Sequence, residues 1–251
     1  MFDAVDLSRI VRLLGDVALV DGTLQARRRL LVERLAELIG AFAWFWVAGQ
    51  VDEKTGAPMA LNFLCGGLTD WQLAGFIKAS SDTVDPLPVN DGMVQLLSEG
   101  KHFTLDRQDL VDDDRWYGHR AVRNLLIERG IEHILYTMMP TDNHAYAGVG
   151  FMRRQGTPSF TKKERRIVHI VTSEVRWLTD HAVNHPGSHK AQQLSPRLRT
   201  VLSLLLDAFS CDQIADMLDL SSFTVREYMS DIYRHFSVQS HTELIHAFRY
   251  K

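Results

Sequence analysis

The sequence predicts an α+β protein: an α/β/α sandwich on one antiparallel sheet, followed by an all-α unit of four helices. Three observations carry this. Between residues 41 and 153, short runs rich in β-branched and aromatic residues alternate with stretches of helical spacing. From Leu194 onward, helix-start signals recur. Residues 184–193, Asn-His-Pro-Gly-Ser-His-Lys-Ala-Gln-Gln, have the composition of a linker. The expected division is therefore 1–183, a linker at 184–193, and 194–251.

Leu24, Leu31, Leu35 and Leu38 mark the first helix, and the runs Ala41 to Val47 and Met59 to Cys65 read as strands with their turn at 52–56. Thr69 and Gln72 form a capping box that opens a helix toward Ser80, stopped by the proline-rich stretch 85–88. An extended run from His102 to Arg107 precedes a helix from about Trp116 to Glu128, which Gly130 ends. Ile131 to Met139 and Tyr146 to Arg153 then read as a hairpin turning at 141–144. Thr161 and Glu164 form a second capping box, opening a helix expected to run to about Ala182. That helix carries Val168, Val171, Val175, Leu178 and Ala182 at 3-4 spacing, widened by Ile167, Ile170 and Trp177. Such a stripe suits either a helix buried on the sheet or one that also meets a second subunit.

The chain has 251 residues, 45% hydrophobic and 24% charged, with a formal charge of −3, which argues against nonspecific coating of nucleic acid. From Lys190 onward seven basic residues face seven acidic ones, so a basic face must come from local clustering. Cys65 and Cys211 lie far apart and suit neither a disulfide framework nor a zinc site. The start of the chain has no export-signal pattern and no run is long enough to cross a membrane, so a cytoplasmic protein is expected. No nucleophile with a base, phosphate-cradling loop or catalytic carboxylate pair can be placed. The expectation is a protein without catalysis, cofactor or metal, with Asp112, Asp113 and Asp114 as a solvated loop or helix entry.

The carboxyl end is the most informative part. Ser195-Pro196, Ser210 with Gln213, Ser221 and Ser222, and Ser240 with Glu243 mark four helix starts. A short helix at about 211–218 and a longer one at about 222–236, joined by Asp219-Leu220-Ser221, read as a helix-turn-helix. Val225, Met229, Ile232 and Phe236 share one face of the longer helix and are expected to pack on Val201, Leu202, Leu205, Ile214 and Leu218. The opposite face offers Phe223, Glu227, Ser230 and Arg234, flanked by Ser222, Thr224 and Arg226, as candidate contacts to double-stranded DNA in the major groove.

The passage LSPRLRTVLSLLLDAFSCDQIADMLDLSSFTVREYMSDIYRHFSVQS resembles the LuxR-type family, with Leu194, Arg197, Val201, Ser210, Ile214, Ala215, Leu218, Ser221, Thr224, Val225, Arg226, Ile232 and Val238 among the matching positions. The resemblance implies that the third helix is the recognition helix and that the fourth often pairs two subunits, so a homodimer on DNA is expected. The chain departs from the pattern at Leu198, Ala208, Asp212 and Glu227.

The order of elements from 23 to 183, together with the passage RRQGTPSFTKKER, resembles a GAF/PAS-like sensory domain. That implies a small-molecule effector between sheet and covering helices, for which Trp44, Trp46, Trp71, Asp85, Trp116, Tyr117 and Tyr136 are the candidate contacts. Each of these aromatics also suits plain core packing. Trp71 with Asp85-Pro86 faintly resembles the arrangement of acyl-homoserine-lactone receptors, although Gly75 stands where those carry a tyrosine. An interaction protein using the helix-turn-helix only as a dimerisation bundle is the other alternative.

Overall fold

The computed structural model describes residues 4–21, 23–51, 58–82, 84–141, 145–179, 190–191, 193–206 and 209–249. The expected turn at 52–56, the hairpin tip at 142–144 with His144, and most of the expected linker lie outside these residues, as do Ala182 and Ala208.

Five strands form one antiparallel sheet in the order β2-β1-β5-β4-β3: β1 Ala43–Val51, β2 Pro58–Gly66, β3 Phe103–Asp106, β4 Ile131–Pro140 and β5 Ala145–Arg154. Alternation along a strand sends successive side chains to opposite faces, so β1 divides its aromatics between two cores. Trp44 and Trp46 turn to the face covered by α1 (Ala4–Ala18), α2 (Leu24–Leu38) and α7 (Lys162–Glu174). There the Arg28 guanidinium lies 4.6 Å from the Trp46 ring and Arg29 5.6 Å from Trp44. Phe45 and Val47 turn to the other face, under α3 (Asp70–Ser80), α4 (Val89–Ser98), α5 (Arg107–Leu110) and α6 (Asp113–Gly118). Two cross-strand glycines make room for these rings. A Cβ on Gly150 would stand 2.0 Å from the Phe45 ring, and one on Gly66 would stand 2.7 Å from the Trp44 indole.

Both capping boxes of the sandwich form. Thr69 Oγ1 accepts from Gln72 N at 3.3 Å while Thr69 N donates to Gln72 Oε1, and Thr161 and Glu164 make the same reciprocal pair. Three helices add to those expected: α1, whose broad apolar side runs from Leu13 round to Ala4; α4, which follows Pro88 without any side-chain cap; and the single turn α5, capped by Asp106.

The helix expected from Trp116 to Glu128 is broken. Asp112 caps α6, the chain turns extended at His119, and a π-helical turn (Val122–Leu126) and a 3-10 turn (Ile127–Arg129) follow before Gly130 at φ 77°. α7 ends at Glu174 rather than near Ala182. Val175 leaves helical geometry, and a 3-10 turn (Arg176–Leu178) follows whose Leu178 and Trp177 carbonyls accept from Arg28 at 3.1 and 3.4 Å. Within its apolar stripe Ile167, Val168, Val171, Val175 and Leu178 are buried, while Ile170 and Trp177 are half-buried.

Beneath α7 the edge of the sheet is polar. His102, Thr104 and Asp106 alternate onto that face. His102 Nε2 lies 2.8 Å from Thr137 Oγ1, Thr104 Oγ1 lies 3.1 Å from His169 Nδ1, and the two imidazoles stack at 4.3 Å.

The carboxyl unit holds α8 (Pro196–Leu206), α9 (Cys211–Leu218), α10 (Ser222–Phe236) and α11 (His241–Arg249). Ala191 is buried and Lys190 O meets His235 Nε2 at 2.7 Å, so these two residues of the expected linker pack on the helical unit. The core on the α2 face continues without a break into this unit.

Candidate nucleic-acid interface and effector layer

The helix-turn-helix is held by local chemistry that the sequence dictates. Ser210 and Gln213 close a capping box on α9, with Gln213 N donating to Ser210 Oγ at 3.3 Å and Ser210 N to Gln213 Oε1 at 2.9 Å. Asp219 takes the left-handed conformation, φ 55°, which an aspartate tolerates better than a bulkier residue, and this reverses the chain. Ser221 Oγ then accepts from Thr224 N at 3.1 Å and starts α10. The carbonyl of Leu218 at the end of α9 accepts from the Arg197 guanidinium at 2.8 Å. Val225, Ile232 and Phe236 are buried against Val201, Leu202, Leu205, Ile214 and Leu218, with Met229 half-buried beside them.

This seam fixes which face of α10 remains outside. Phe223, Arg226, Glu227, Ser230 and Arg234 are all exposed, and Phe223 is 67% exposed although it is aromatic. At 100° per residue these five lie within roughly 100° of one another, a continuous strip along the helix. Ser222 and Thr224 do not join the strip. The Ser222 hydroxyl donates to Asp212 Oδ1 at 2.6 Å, and the Thr224 hydroxyl lies 2.9 Å from Ser221 Oγ. Both are half-buried parts of the helix start. Arg234 is paired with Asp231 at 2.9 Å, whereas Arg226 forms no salt bridge among the described residues. Asp212, which departs from the family pattern, here receives the Ser222 hydroxyl and braces the turn.

The effector candidates do not converge on one site. Trp44 and Trp46 lie on the α2 face of the sheet, and Trp116 and Tyr136 lie buried on the opposite face, beneath α3, α4 and α6. Trp71 is 58% exposed, its ring 4.7 Å from the Arg129 guanidinium, and Asp85 is a surface carboxylate 3.1 Å from His119 Nε2. Tyr117 stands at the rim, donating its hydroxyl to Glu132 Oε1 at 2.9 Å and accepting from Arg107 at 3.1 Å. The physical reason is parity. Residues 44 and 46 share a face with each other but not with Tyr136, because register between distant strands is set by pairing that one strand's own alternation does not reveal.

Trp116 and Tyr136 belong to an aromatic layer with Phe45, Phe76 and Tyr146; Phe45 stands 5.0 Å from Phe76 and 6.3 Å from Tyr136. Burial pushes the Tyr136 and Tyr146 hydroxyls up from the ordinary phenol value. The Trp116 indole N–H is buried and meets no acceptor among the described residues. At the edge of the layer the sequence reading missed Arg107, which is fully buried between the Trp116 and Tyr117 rings, with its charge answered by Asp113. That hydrogen bond holds the Asp113 carboxyl below the usual carboxylate range. The signal available was the Asp106-Arg107-Gln108-Asp109 capping box, which marks a helix start but not a buried cation.

α3 joins the two regions. Phe76 and Ala79 enter the aromatic layer, while Leu73 and Ile77 belong to the core that continues into the helical unit. Between α3 and α9 lies a cleft of about 440 Å³, with Trp71, Lys78 and Arg129 on one wall and Gln213, Asp216 and Met217 on the other. Lys78 Nζ approaches Asp219 Oδ2 at 3.7 Å across it.

The family described as bacterial regulatory proteins, luxR family, matches residues 192–248. Those residues form a luxR-family regulatory domain. The luxR-type match spans all four helices of the carboxyl unit, including the exposed strip of α10. No curated protein matches the chain in sequence. Among solved structures, SdiA of Escherichia coli is 14% identical, with 96% of this chain and 95% of that chain covered and a TM-score of 0.48. CepR2 of Burkholderia cenocepacia, titled an N-acylhomoserine lactone dependent LuxR family transcription factor, is 16% identical over 77% of this chain and 100% of that one, with a TM-score of 0.44. The GAF domain of an Acinetobacter phosphoenolpyruvate-protein phosphotransferase is 10% identical, covering 72% of this chain and 96% of that one at a TM-score of 0.43. Among the described residues no helix is long and apolar enough to cross a membrane, and no group of three or more metal-ligating side chains gathers.

Proposed function

We propose that this protein is a sequence-specific DNA-binding transcription regulator that acts by binding rather than catalysis, as a cytoplasmic homodimer. α10 enters the major groove, and a small amphipathic effector held in the aromatic layer sets the regulator's state. The observation that carries the reading is the strip Phe223, Arg226, Glu227, Ser230 and Arg234, left exposed on the helix whose opposite seam is fixed in the luxR-type core. Arg226 suits a guanine or a phosphate, Glu227 suits the N4 amino group of cytosine, and Phe223 suits a thymine methyl.

For the effector, the support is the buried Trp116 N–H, which has no acceptor among the described residues, in a layer of aromatic and aliphatic side chains. A ligand with one acceptor and an apolar body complements it, and acyl-homoserine lactones fall within that class. Since α3 touches both the layer and α9, a shift of α3 on ligand binding would reach the helix-turn-helix directly. Trp71 and Asp85 stand outside this layer. The test is selection of bound duplexes from a random pool followed by footprinting. One protected sequence, with affinity falling steeply as salt rises, is the expected result. Absence of any protected sequence would favour the second reading, a bundle used for protein contacts, which the balanced charge of the carboxyl unit and Glu227 motivate.

A further inference from the structure

α3 belongs to the sandwich and α9 to the helical unit, and the cleft of about 440 Å³ between them is lined by charges that do not all meet. Its volume falls within the roughly 300–1,000 Å³ of small-molecule sites, which favour such boundaries between units. Lys78 and Asp219 answer each other across it at 3.7 Å. Arg129, Asp70 and Asp216 line the same space, yet none of the three forms an ion pair among the described residues.

Gly75 seats the arginine. A Cβ at that position of α3 would stand 2.3 Å from Arg129 Cδ and 2.4 Å from the Leu125 carbonyl oxygen, so any other residue would force this side chain and the helix apart. The guanidinium lies 4.7 Å from the centre of the Trp71 ring and donates to the Trp71 carbonyl, while its Nε is buried without an acceptor among the described residues. A guanidinium held at a cleft with no carboxylate of its own suits an added one, which its planar fork binds by charge-assisted hydrogen bonds.

Asp70, at the start of α3, and Asp216, exposed on α9, carry the opposite charge. With Lys78 set against Asp219, the cleft is left with one cation and two carboxylates. A simple anion would be repelled by both carboxylates and a simple cation by Arg129, whereas a ligand bearing both charges answers each. The lining also offers the Trp71 ring, 58% exposed, with Ala74 and the buried Met217, which suit an apolar side chain. We infer that this cleft is a second small-molecule site, for an α-amino acid with an apolar side chain, its carboxylate toward Arg129 and its ammonium toward Asp216 and Asp70. Because its walls belong to the sandwich and to the luxR-type domain, the bound amino acid fastens one to the other and by linkage favours the docked arrangement. The site is separate from the aromatic layer and stands or falls apart from the effector proposed there.

The test is calorimetric titration of the full-length protein, without DNA. The probes are L-phenylalanine and L-leucine, with 2-phenylethylamine and 3-phenylpropionate, which keep only the ammonium or only the carboxylate. The expected result is binding of L-phenylalanine at least tenfold tighter than of either analogue, and at least tenfold weaker binding by Arg129→Gln and Asp216→Asn. Loss of Arg129 disturbs its packing on Gly75. Asp216 is exposed, so Asp216→Asn should keep the wild-type melting temperature and isolates the effect on binding. Absence of binding by both amino acids at millimolar concentration, or an analogue as tight as L-phenylalanine, would overturn the inference. Unchanged affinity of Asp216→Asn would overturn the placement of the amino acid in this cleft.

Discussion

α7 and α10 look alike in sequence, each an amphipathic helix with apolar residues at 3-4 spacing, yet the structure uses them in opposite ways. α7 turns Ile167, Val168 and Val171 into the core between the sheet and the neighbouring helices. α10 buries one narrow seam and leaves a strip of mixed polarity outside. Periodicity tells which residues go in. What the remaining face does depends on the residues that periodicity does not count: both outer faces carry arginine, serine and glutamate, but only α10 adds an exposed phenylalanine, Phe223.

The comparison is sharpest where the two helices should behave alike. Ile167 of α7 and Ile232 of α10 are both buried, so Ile167→Ala and Ile232→Ala should each cost about 2–5 kcal/mol, read as a lowered midpoint in denaturant. A negligible loss at Ile232 would mean that the seam of α10 is not a seam.

On the outer faces they should diverge. Glu227→Gln should leave thermal stability unchanged while altering discrimination at one base pair by about 1–3 kcal/mol, seen by titrating duplexes that vary at each position. Uniformly tighter binding to every duplex would instead show that Glu227 only repels phosphates.

A smaller effect separates α7 by its polar underside. Burial, reinforced by the neighbouring His169, lowers His102 to about 4 from the usual value near 6.5. The unfolded chain therefore binds more protons between those values, and stability is full above about pH 6.5 and declines as pH falls toward 4. The groups packed around this imidazole are His169 and Thr172 of α7, Thr137 of β4 and Thr104 of β3. His102→Gln should flatten the acid side of a plot of melting temperature against pH. An unchanged slope would exclude His102 as its source.

The smallest change expected is from Lys78→Ala at the α3–α9 cleft. Both partners of its ion pair are largely exposed, so the loss should stay within about 1 kcal/mol by thermal melting. A larger loss would mean that the cleft, rather than the shared apolar core, holds the helical unit in place.

The sequence was most legible where structure is local. The capping boxes at Thr69, Thr161 and Ser210 involve side chains reaching their own neighbours, and each forms as its spacing predicts. The helix-turn-helix is made of such signals, so its helices and outer strip were readable, apart from Ser222 and Thr224, whose hydroxyls the turn itself uses. The aromatic layer was not. Trp44, Trp46, Trp116 and Tyr136 look equivalent as a list, and only pairing in the order β2-β1-β5-β4-β3 assigns them to opposite faces.

The account depends most on the outer strip of α10 meeting base edges, and Arg226 is the residue to remove. Binding of wild-type protein and Arg226→Ala to a selected duplex and to a scrambled one, by fluorescence anisotropy at several salt concentrations, tests it directly. The prediction is a loss of about 1–3 kcal/mol on the selected duplex, a reduced preference over the scrambled one, and an unchanged melting temperature. An Arg226→Ala protein that keeps the full wild-type preference would contradict it.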